Sequence, residues 1–323
     1  MVKILANDGI DSAGKKIFDA AGFSVSTEKV AQENLSDALK NFDAILVRSA
    51  TQVRQVNIDA VPNLKLIGRA GVGMDNIDVK YAREKGLAVV NTPAASSQSV
   101  AELVFAHLFT GVRFLHDANR NMPASDTKEI FDKLKKNYSA GIELRGKTLG
   151  IVGAGQIGKC VAAIAVGLGM NVLFHRLNNE DVVVDLDFHP ALSQRKVTIT
   201  FKCVSFTKLI TESDFITMHV PFPKGSVPVV GKKEFDLMKQ GVGIVNTARG
   251  GVVSENDLLD ALNSGKVAFA GIDVFEGEPI IKEALRKHPK VSLSPHIGGS
   301  TKEAQERIGI ELAQKVVEYF NAK

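Results

Sequence analysis

The chain has 323 residues, of which 45% are hydrophobic and 24% are charged. This length suits two domains of about 100–200 residues each, and the composition is that of a globular protein rather than a disordered one. The formal net charge of +4 favours small anionic ligands over nucleic acid. No apolar run is long enough to cross a membrane, so we expect neither a nucleic-acid nor a membrane partner.

The first hundred residues alternate short apolar strands with helical stretches such as Ser12–Ala21. This alternation predicts a parallel sheet with helices on both faces. The strands end in polar residues, Gly or Arg, at the edge where such sheets bind ligands. The predicted strands are Lys3–Ala6, Ala44–Val47, Leu64–Gly68 and Leu87–Val90.

One long helix is predicted over Ser97–Arg120, because its apolar residues recur at helical spacing. His107 lies on or beside this apolar stripe, and we interpret it as a core histidine rather than a catalytic one. A segment with Pro123 and many charged residues follows.

A second α/β unit begins at Lys147, with a helix at Lys159–Leu168, and the chain ends in a long amphipathic helix, Thr301–Phe320. The predicted strands of this second unit are Thr148–Val152, Asn171–Phe174, Phe215–Val220, Gly243–Asn246, Ala268–Asp273 and Val291–Ser294. The stretch Asn178–Phe206 is longer than expected, and its alternating residues around Ile199 predict a half-exposed strand.

The fold class is therefore α/β with two doubly wound parallel-sheet domains. A flavodoxin-like substrate-binding domain is expected over residues 1–97 and 300–323. A Rossmann dinucleotide-binding domain, residues 98–299, is expected to be inserted within it, with the active site in the cleft.

A Gly-x-Gly-x-x-Gly motif at Gly153–Gly158 lies between an apolar strand and a helix, as dinucleotide binding requires. Gly153 permits a tight turn, Gly155 lets the backbone approach a pyrophosphate, and Gly158 lets the helix pack on the strand. The free N–H groups at the start of the helix then face the phosphates. We predict a nicotinamide dinucleotide as cofactor.

Arg176 occupies the place, after the next strand, where an acidic residue would bind the adenosine ribose of NAD. An arginine there suits the 2′-phosphate of NADP. Alternatively, Arg176 stacks on the adenine or points to solvent while NAD binds. The sequence leaves this choice open.

Three segments in the last quarter of the chain carry Arg249, Glu278 and His296. A guanidinium can hold a substrate carboxylate with two hydrogen bonds. A histidine can move a proton, and a neighbouring carboxylate favours the charged form of such a ring. Together with a hydride acceptor, these groups would oxidise a 2-hydroxy acid.

These motifs, in this order, resemble the D-isomer-specific 2-hydroxyacid dehydrogenase family over essentially the whole chain. The resemblance implies that Arg249 anchors the substrate carboxylate, that His296 is the acid/base and that Glu278 is its partner. It also implies that Asp273, Thr247 and Ala248 lie along the nicotinamide side of the cofactor. The candidate cofactor-binding residues are Gly153, Gly155, Gln156, Ile157, Gly158, Arg176, Val220, Thr247, Ala248, Asp273, Gly298 and Gly299.

Within the family, Arg48–Val53, Gly68–Asp78 and Gly298–Gln305 resemble the members that oxidise D-3-phosphoglycerate to 3-phosphohydroxypyruvate for serine synthesis. Backbone N–H groups near Val72 and Gly73 can bind a carboxylate, and arginines can bind a phosphate. Arg69 could instead form a structural ion pair. The candidate substrate-binding residues are Arg48, Ser49, Arg69, Val72, Gly73 and Asn76.

Two other functions stay open. One is an NADPH-dependent glyoxylate or hydroxypyruvate reductase, which Arg176 favours; the other is a dinucleotide-sensing corepressor that binds cofactor without turnover. The resemblance implies a homodimer or homotetramer formed through Ser97–Arg120 and the segment after it. The chain ends after its last helix, so we expect no appended regulatory domain and no serine feedback through one.

Cys160 and Cys203 are the two cysteines. Neither belongs to a Cys-x-x-Cys pair or lies near a histidine at ligand spacing, so no metal site is predicted. Few cysteines and no signal peptide point to the cytoplasm.

Overall fold

The computed structural model describes residues 1–186, 197–223 and 225–322. The chain forms two compact units. Unit 1 comprises Met1–Ser97 and Gly299–Lys323, and unit 2 comprises Gln98–Gly298. In sequence, unit 2 is thus flanked on both sides by unit 1.

Unit 1 contains a five-stranded parallel sheet. Its strands are β1 (Lys3–Ala6), β2 (Ser24–Ser26), β3 (Ala44–Val47), β4 (Leu66–Arg69) and β5 (Ala88–Asn91), in the order β2-β1-β3-β4-β5. Its helices are α1 (Ser12–Ala20), α2 (Leu35–Leu39), α3 (Gln55–Asp59), α4 (Val79–Glu84) and the final helix (Lys302–Asn321), with a 3₁₀ turn at Gln32–Asn34. This strand order is the flavodoxin-like one.

Alternate residues of β1, β3, β4 and β5 enter two separate cores, because successive side chains of a strand point to opposite faces of the sheet. Leu5, Ile45 and Ile67 pack on one face of the sheet with residues of α2 and α3. Ile4, Leu46 and the other alternate residues pack on the opposite face against α1 and the final helix. Both faces are therefore covered, which is why β3 is apolar at every position.

Unit 2 contains a six-stranded parallel sheet and a two-stranded antiparallel one. The strands are β6 (Thr148–Val152), β7 (Asn171–His175), β8 (Val182–Leu186), β9 (Val197–Phe201), β10 (Phe215–Met218), β11 (Val242–Asn246), β12 (Val267–Ile272) and β13 (Val291–Leu293). The larger sheet has the order β13-β12-β11-β10-β6-β7.

The unit 2 helices cover both faces of the larger sheet. They are α5 (Ser97–Val112, whose first residue belongs to unit 1), α6 (Leu115–Asn121), α7 (Lys128–Asn137), α8 (Gln156–Gly167), α9 (Phe206–Glu212), α10 (Lys232–Leu237), α11 (Glu255–Asn263) and α12 (Glu283–Arg286), with a 3₁₀ turn at Met122–Ala124. The final helix of unit 1 is α13.

The direction in which the larger sheet grows reverses between β6 and β10. Beyond β7, Cys203 forms a parallel bridge with Phe174, which continues the sheet on that side. Such a switch point is where doubly wound sheets bind ligands, and the phosphate loop follows β6. The predicted fold class, with two doubly wound parallel sheets, is confirmed.

The prediction of a single helix over Ser97–Arg120 is wrong. The helix ends at Val112 and a second begins at Leu115, because Phe114 adopts a left-handed conformation with φ 57°. This turn lets the Phe114 ring pack on Tyr138, with ring centroids 6.1 Å apart. Other predicted boundaries differ by a few residues, and α8 begins at Gln156, three residues before its predicted start.

The unusual stretch Asn178–Phe206 contains an antiparallel hairpin formed by β8 and β9. The half-exposed strand predicted around Ile199 is confirmed as β9. Val182, Val184 and Leu186 are buried and join the core cluster that includes α8. Residues 187–196 of this stretch lie outside the described part of the chain.

Candidate active site

The loop after β6 has the geometry of a phosphate-binding turn. Gly153 has φ 107°, and a Cβ there would lie 2.4 Å from the carbonyl oxygen of His219. A Cβ on Gly158 would lie 2.2 Å from the carbonyl oxygen of Gly153. By contrast, nothing lies within 4 Å of a Cβ built on Gly155. Two glycines are therefore needed for packing, and the third leaves a free approach to the backbone.

The start of α8 offers donors for an anion. Gly155 is the N-cap residue, and no side chain caps the helix. The first N–H groups of a helix have no partner within it, and they carry partial positive charge. Gln156 is exposed and Ile157 is partly buried. The loop and helix start therefore fit the pyrophosphate of a dinucleotide.

Arg176 follows the last residue of β7 directly. Its guanidinium Nη2 lies 3.2 Å from the Glu180 carboxylate, and the Glu180 side chain is well exposed. The cation therefore lies where the adenosine ribose is expected, and its surface ion pair with Glu180 is of a kind that contributes little to stability.

The loop after β11 carries Arg249 and is tied down by one amide side chain. Asn246 Nδ2 donates to the Arg249 carbonyl oxygen at 2.9 Å, and its Oδ1 accepts from the Ala248 N–H at 3.1 Å. Arg249 Nη1 donates to the Ala248 carbonyl oxygen at 2.6 Å. Sequence reasoning treated Asn246 as part of a strand end and missed this role.

Thr247 is buried, and its hydroxyl has no hydrogen-bond partner among the described residues. A buried polar atom without a partner in the protein points to a ligand or water. Val220, which follows β10, is half-buried and packs against a core cluster of unit 2. Both residues lie beyond the carboxyl ends of adjacent strands, where the cofactor contacts were predicted.

Glu278 and His296 are in direct contact. Glu278 Oε2 lies 2.9 Å from His296 Nδ1, and Oε1 accepts a hydrogen bond from the Phe275 N–H at 2.9 Å. The His296 side chain is 47% exposed and that of Glu278 is 36% exposed. The carboxylate thus fixes the ring through Nδ1, and Nε2 is the ring nitrogen left for a substrate.

The loop that carries His296 is held by Asp273. The Asp273 side chain is buried, and its two oxygens accept from the N–H groups of Ile297 and Gly298, both at 2.9 Å. The His296 N–H donates to the Asp273 carbonyl oxygen at 2.8 Å. Asp273 was predicted to contact the cofactor; in the structure its carboxylate organises this loop, and the cofactor contact stays a prediction.

Neighbouring strands bring these groups to one edge of the unit 2 sheet. Arg249 follows β11, Asp273 follows β12 and His296 follows β13, and the three strands are adjacent and parallel. Adjacent strands lie about 4.8 Å apart. A guanidinium, a histidine and its carboxylate partner therefore belong to one carboxyl edge, as the chemistry of a 2-hydroxy acid requires.

In unit 1, Arg48 lines a cavity of about 260 Å³ together with residues of the first loop and α13. Asp8 also lines this cavity, but its carboxylate accepts from the Arg48 N–H at 2.7 Å and from Thr51, and it pairs with Lys29. These contacts hold the pKa of Asp8 below its usual value despite the opposing effect of burial. The Asp8 carboxylate is thus already bound by Lys29, by Thr51 and by the backbone of Arg48.

The Asn76 side chain binds the backbone of the loop that carries Arg48. Its Nδ2 donates to the carbonyl oxygens of Arg48 at 2.8 Å and Thr51 at 2.6 Å. Ser49 is exposed. Asn76 was predicted as a substrate contact; the structure shows its amide holding the loop.

Arg69 and Val72 belong to the next loop of unit 1. Arg69 Nη1 donates to the Ala70 carbonyl oxygen at 3.0 Å, and a Cβ on Gly71 would lie 1.5 Å from that nitrogen. Asn91, which the sequence did not single out, donates to the Val72 carbonyl oxygen at 2.7 Å. The backbone around Val72 and the half-buried Gly73 is thus held in place from β5.

Gly298 and Gly299 fall on opposite sides of the boundary between the units, since unit 2 ends at Gly298. Ser99 donates to the Gly298 carbonyl oxygen at 2.6 Å, and Gln305 donates to that of Gly299 at 2.7 Å.

Across residues 1–186, 197–223 and 225–322, no group of three or more His, Cys, Asp or Glu residues could hold a metal ion. Within the same ranges, no helix has the length and apolar character needed to span a membrane.

The fold and the site together define a nicotinamide-dependent dehydrogenase. Residues 105–298 match the family described as "D-isomer specific 2-hydroxyacid dehydrogenase, NAD binding domain". This match covers more than half of the chain, and the chain belongs to that family. It is therefore an oxidoreductase that uses a nicotinamide cofactor, and the recognition made from the sequence is confirmed.

Similar proteins differ in the substrates that their names state. The chain is 38% identical over 318 residues to a hydroxypyruvate reductase of Thermotoga maritima, covering 97% of each chain. It is also 38% identical to a D-3-phosphoglycerate dehydrogenase of Archaeoglobus fulgidus, over 98% of this chain but 57% of that longer protein. A glyoxylate reductase structure from Paecilomyes thermophila superposes with a TM-score of 0.81 at 29% identity, covering 98% of this chain and 94% of that one.

Proposed function

We propose that this enzyme oxidises D-3-phosphoglycerate to 3-phosphohydroxypyruvate, with NAD as hydride acceptor, and so feeds serine synthesis. The observation that carries the chemistry is the 2.9 Å contact between Glu278 and His296 at the edge that also bears Arg249. What supports a phosphorylated substrate is the set of cationic and backbone donors that unit 1 carries on its loops.

Arg249, His296 and Glu278 each have a separate role in this reaction. The Arg249 guanidinium binds the substrate carboxylate and orients C2. His296 Nε2 removes the proton of the C2 hydroxyl as the carbonyl forms, and Glu278 stabilises the resulting imidazolium through Nδ1. When bound, a nicotinamide ring supplies the acceptor for the hydride that leaves C2. In the reverse direction His296 returns the proton to the carbonyl oxygen.

A phosphate-binding role for Arg48 rests on its surroundings. The nearby Asp8 carboxylate is occupied by Lys29 and by three hydrogen bonds from Arg48 and Thr51. Asn76 fixes the loop through the carbonyl oxygens of Arg48 and Thr51. A loop held in this way presents a planar guanidinium with little loss of entropy, which suits a phosphate group.

The experiment compares D-3-phosphoglycerate with unphosphorylated D-glycerate in steady-state assays. Arg48→Gln should raise KM for the phosphorylated acid about tenfold and leave KM for glycerate within about twofold. His296→Asn should lower kcat on both acids by about a hundredfold or more, the usual scale of acid–base catalysis. If Arg48→Gln raises KM equally for both acids, Arg48 does not bind the phosphate.

A second candidate is a reductase of hydroxypyruvate or glyoxylate. The hydroxypyruvate reductase of Thermotoga maritima matches over 97% of its length, whereas this chain spans just over half of the D-3-phosphoglycerate dehydrogenase relative. Arg176 also favours it, through NADPH. If wild-type kcat/KM with glyoxylate or hydroxypyruvate exceeds that with 3-phosphohydroxypyruvate, this candidate replaces the first.

Arg176 also bears on the cofactor, for which we propose NAD with NADP accepted as well. Arg176 pairs with the exposed Glu180 carboxylate, and a 2′-phosphate carries more charge than that carboxylate and can replace it. Arg176→Asp should change the ratio of kcat/KM values in favour of NAD by about tenfold or more. Glu180→Gln is the matched control and should raise the use of NADP; no change in the ratio in either variant would refute a role for Arg176.

We further propose that the protein forms a homodimer through α5–α7. Five large apolar side chains in this stretch, and a sixth just after it, are exposed, which is unusual for one segment of a monomer surface. They are Phe109, Leu115, Met122, Ile130, Phe131 and Ile142.

A further inference from the structure

We infer that His107 is a positioning residue: it holds the loop that carries His296 through a buried chain of hydrogen bonds. The inference rests on the proposed function, in which His296 moves the proton. His107 belongs to α5, far from His296 in the sequence, and the apolar stripe around it favours a plain core residue.

The surroundings of His107 are built to hold its ring against the strands. The residue is 4% exposed. Gly271 on β12 leaves the space for it, since a Cβ at Gly271 would lie 2.5 Å from His107 Cβ. Both ring nitrogens have hydroxyl partners, with Ser292 Oγ 2.9 Å from Nδ1 and Ser294 Oγ 3.0 Å from Nε2.

The chemistry of these partners fixes the direction of each hydrogen bond. Ser294 Oγ lies 2.6 Å from the Asp273 carboxylate, which only accepts, so the single hydroxyl proton of Ser294 is used there. His107 Nε2 must therefore carry a proton and donate it to Ser294 Oγ. In the neutral ring Nδ1 then accepts, and Ser292 donates to it. Burial lowers the pKa of His107 to about 4, against a smaller opposing effect of Asp273, so the ring is neutral near pH 7.

The chain continues from Asp273 to the loop itself. The same carboxylate accepts from the N–H groups of Ile297 and Gly298, which are the two residues after His296. Both anchor points of the loop, Ser294 before Pro295 and Asp273 behind Ile297, thus depend on one uninterrupted set of donors and acceptors. Hydrogen bonds in such buried chains strengthen one another, and breaking one leaves buried groups unsatisfied.

The consequence concerns orientation rather than proton transfer. His296 has φ 54°, a conformation that non-glycine residues rarely adopt and that needs support from its surroundings. A loop released from Asp273 would let the His296 ring leave Glu278, and the fraction of correctly oriented enzyme would fall. Binding of the substrate carboxylate by Arg249 and of the pyrophosphate at the loop after β6, which depend on other groups, would be retained.

The test compares His107→Leu with His107→Gln, whose amide N–H can donate where Nε2–H does. Val104→Ala is the control, because Val104 is a buried residue of the same helix with no hydrogen-bonding side chain. Steady-state kinetics give kcat and KM, cofactor fluorescence gives the dissociation constant, and hydrogen exchange followed by mass spectrometry reports the backbone N–H groups of His296–Gly298.

His107→Leu should lower kcat about tenfold or more, with KM and the cofactor dissociation constant within about twofold of wild type. Exchange at His296–Gly298 should become about tenfold faster. His107→Gln should restore both to within about threefold, and Val104→Ala should leave both unchanged. Should His107→Leu not fold, Ser294→Ala breaks the same chain with a smaller change and should give the same kinetic and exchange result.

Two outcomes overturn the inference. One is unchanged exchange and kcat in His107→Leu or Ser294→Ala while His296→Asn is inactive; the histidine would then be a structural core residue alone. The other is an active His296→Asn variant, which refutes the proposed function first and leaves the loop nothing to position.

Discussion

Burial of His107 makes the stability of unit 2 depend on pH in a predictable direction. Burial lowers its pKa from 6.5 to about 4, Asp273 opposes this shift and His116 adds to it. As the pH falls below 6.5, the ring of the unfolded chain takes up a proton and the folded ring does not. The contribution of His107 is therefore fully present above pH 6.5 and is lost as the pH falls towards 4.

The size of the effect follows from the two pKa values. Each pH unit over which the two states differ by one proton changes the free energy of unfolding by about 1.4 kcal/mol. Between pH 7 and pH 5 the integrated difference for this ring is about 1.8 kcal/mol. His107→Gln removes the titration, so its free energy of unfolding should fall by about 1.8 kcal/mol less than that of wild type over this interval.

Urea unfolding followed by circular dichroism, at pH 7 and pH 5, measures this difference. Desolvation also lowers the pKa of the half-buried His219 to about 3, but its contribution is common to all the proteins compared and cancels. Val104→Ala is the control: it should be less stable than wild type at both pH values by the same amount, because it removes packing and no titrating group. If His107→Gln and wild type lose equal stability between pH 7 and pH 5, the pKa of His107 is the same in the folded and the unfolded chain, and burial does not hold the ring neutral.

Three further predictions follow from single contacts. Gly155→Ala places a Cβ in open space, so thermal stability should be retained while the cofactor dissociation constant rises about tenfold. In Gly153→Ala the new Cβ would lie 2.4 Å from a backbone oxygen on a residue with φ 107°, so the melting temperature should fall by about 5 °C or more. Asn76→Ala releases the Arg48 loop, so KM for D-3-phosphoglycerate should rise about fivefold with kcat within about twofold. Phe131→Glu puts a charge on the exposed apolar face, and light scattering on a sizing column should show monomers where wild type is dimeric; a dimeric variant would place the interface elsewhere.

The sequence was most informative where burial alone decides local structure. β1, β3 and β6 were predicted with their observed bounds, because a strand covered on both faces is a short apolar run between polar residues. The break at Phe114 was not predicted, because neither glycine nor proline stands between Val112 and Leu115 to signal the end of a helix. A contact with Tyr138, more than twenty residues further along, favours that break.

The candidate site shows the same division between local and tertiary signals. The glycines of the phosphate loop could be read from spacing, because their roles are steric and local. The partnership of Glu278 with His296 came from the family resemblance, since the spacing of the two residues does not place one carboxylate against one ring. Asn246 and Asn91 were missed altogether, since an asparagine that ties a loop has the same sequence signature as one that only turns the chain.

These anchors explain how reactive groups on loops can be held as firmly as groups on strands. Asn246 fixes the loop of Arg249, Asp273 fixes that of His296, and in unit 1 Asn76 fixes that of Arg48. In each case a polar side chain near the end of a strand, or on the next loop, satisfies backbone groups that a loop would otherwise expose to water.

Replacement of residues that touch no ligand should therefore also lower activity, when those residues hold the loops of the reacting groups. Each anchor binds backbone rather than substrate, so its loss should lower the population of correctly oriented enzyme and leave the chemistry of that population unchanged. Residual activity in anchor variants should accordingly keep the wild-type pH dependence, whereas replacement of His296 removes the group that moves the proton. That contrast separates residues that position from residues that react, and it follows from where each side chain makes its hydrogen bonds.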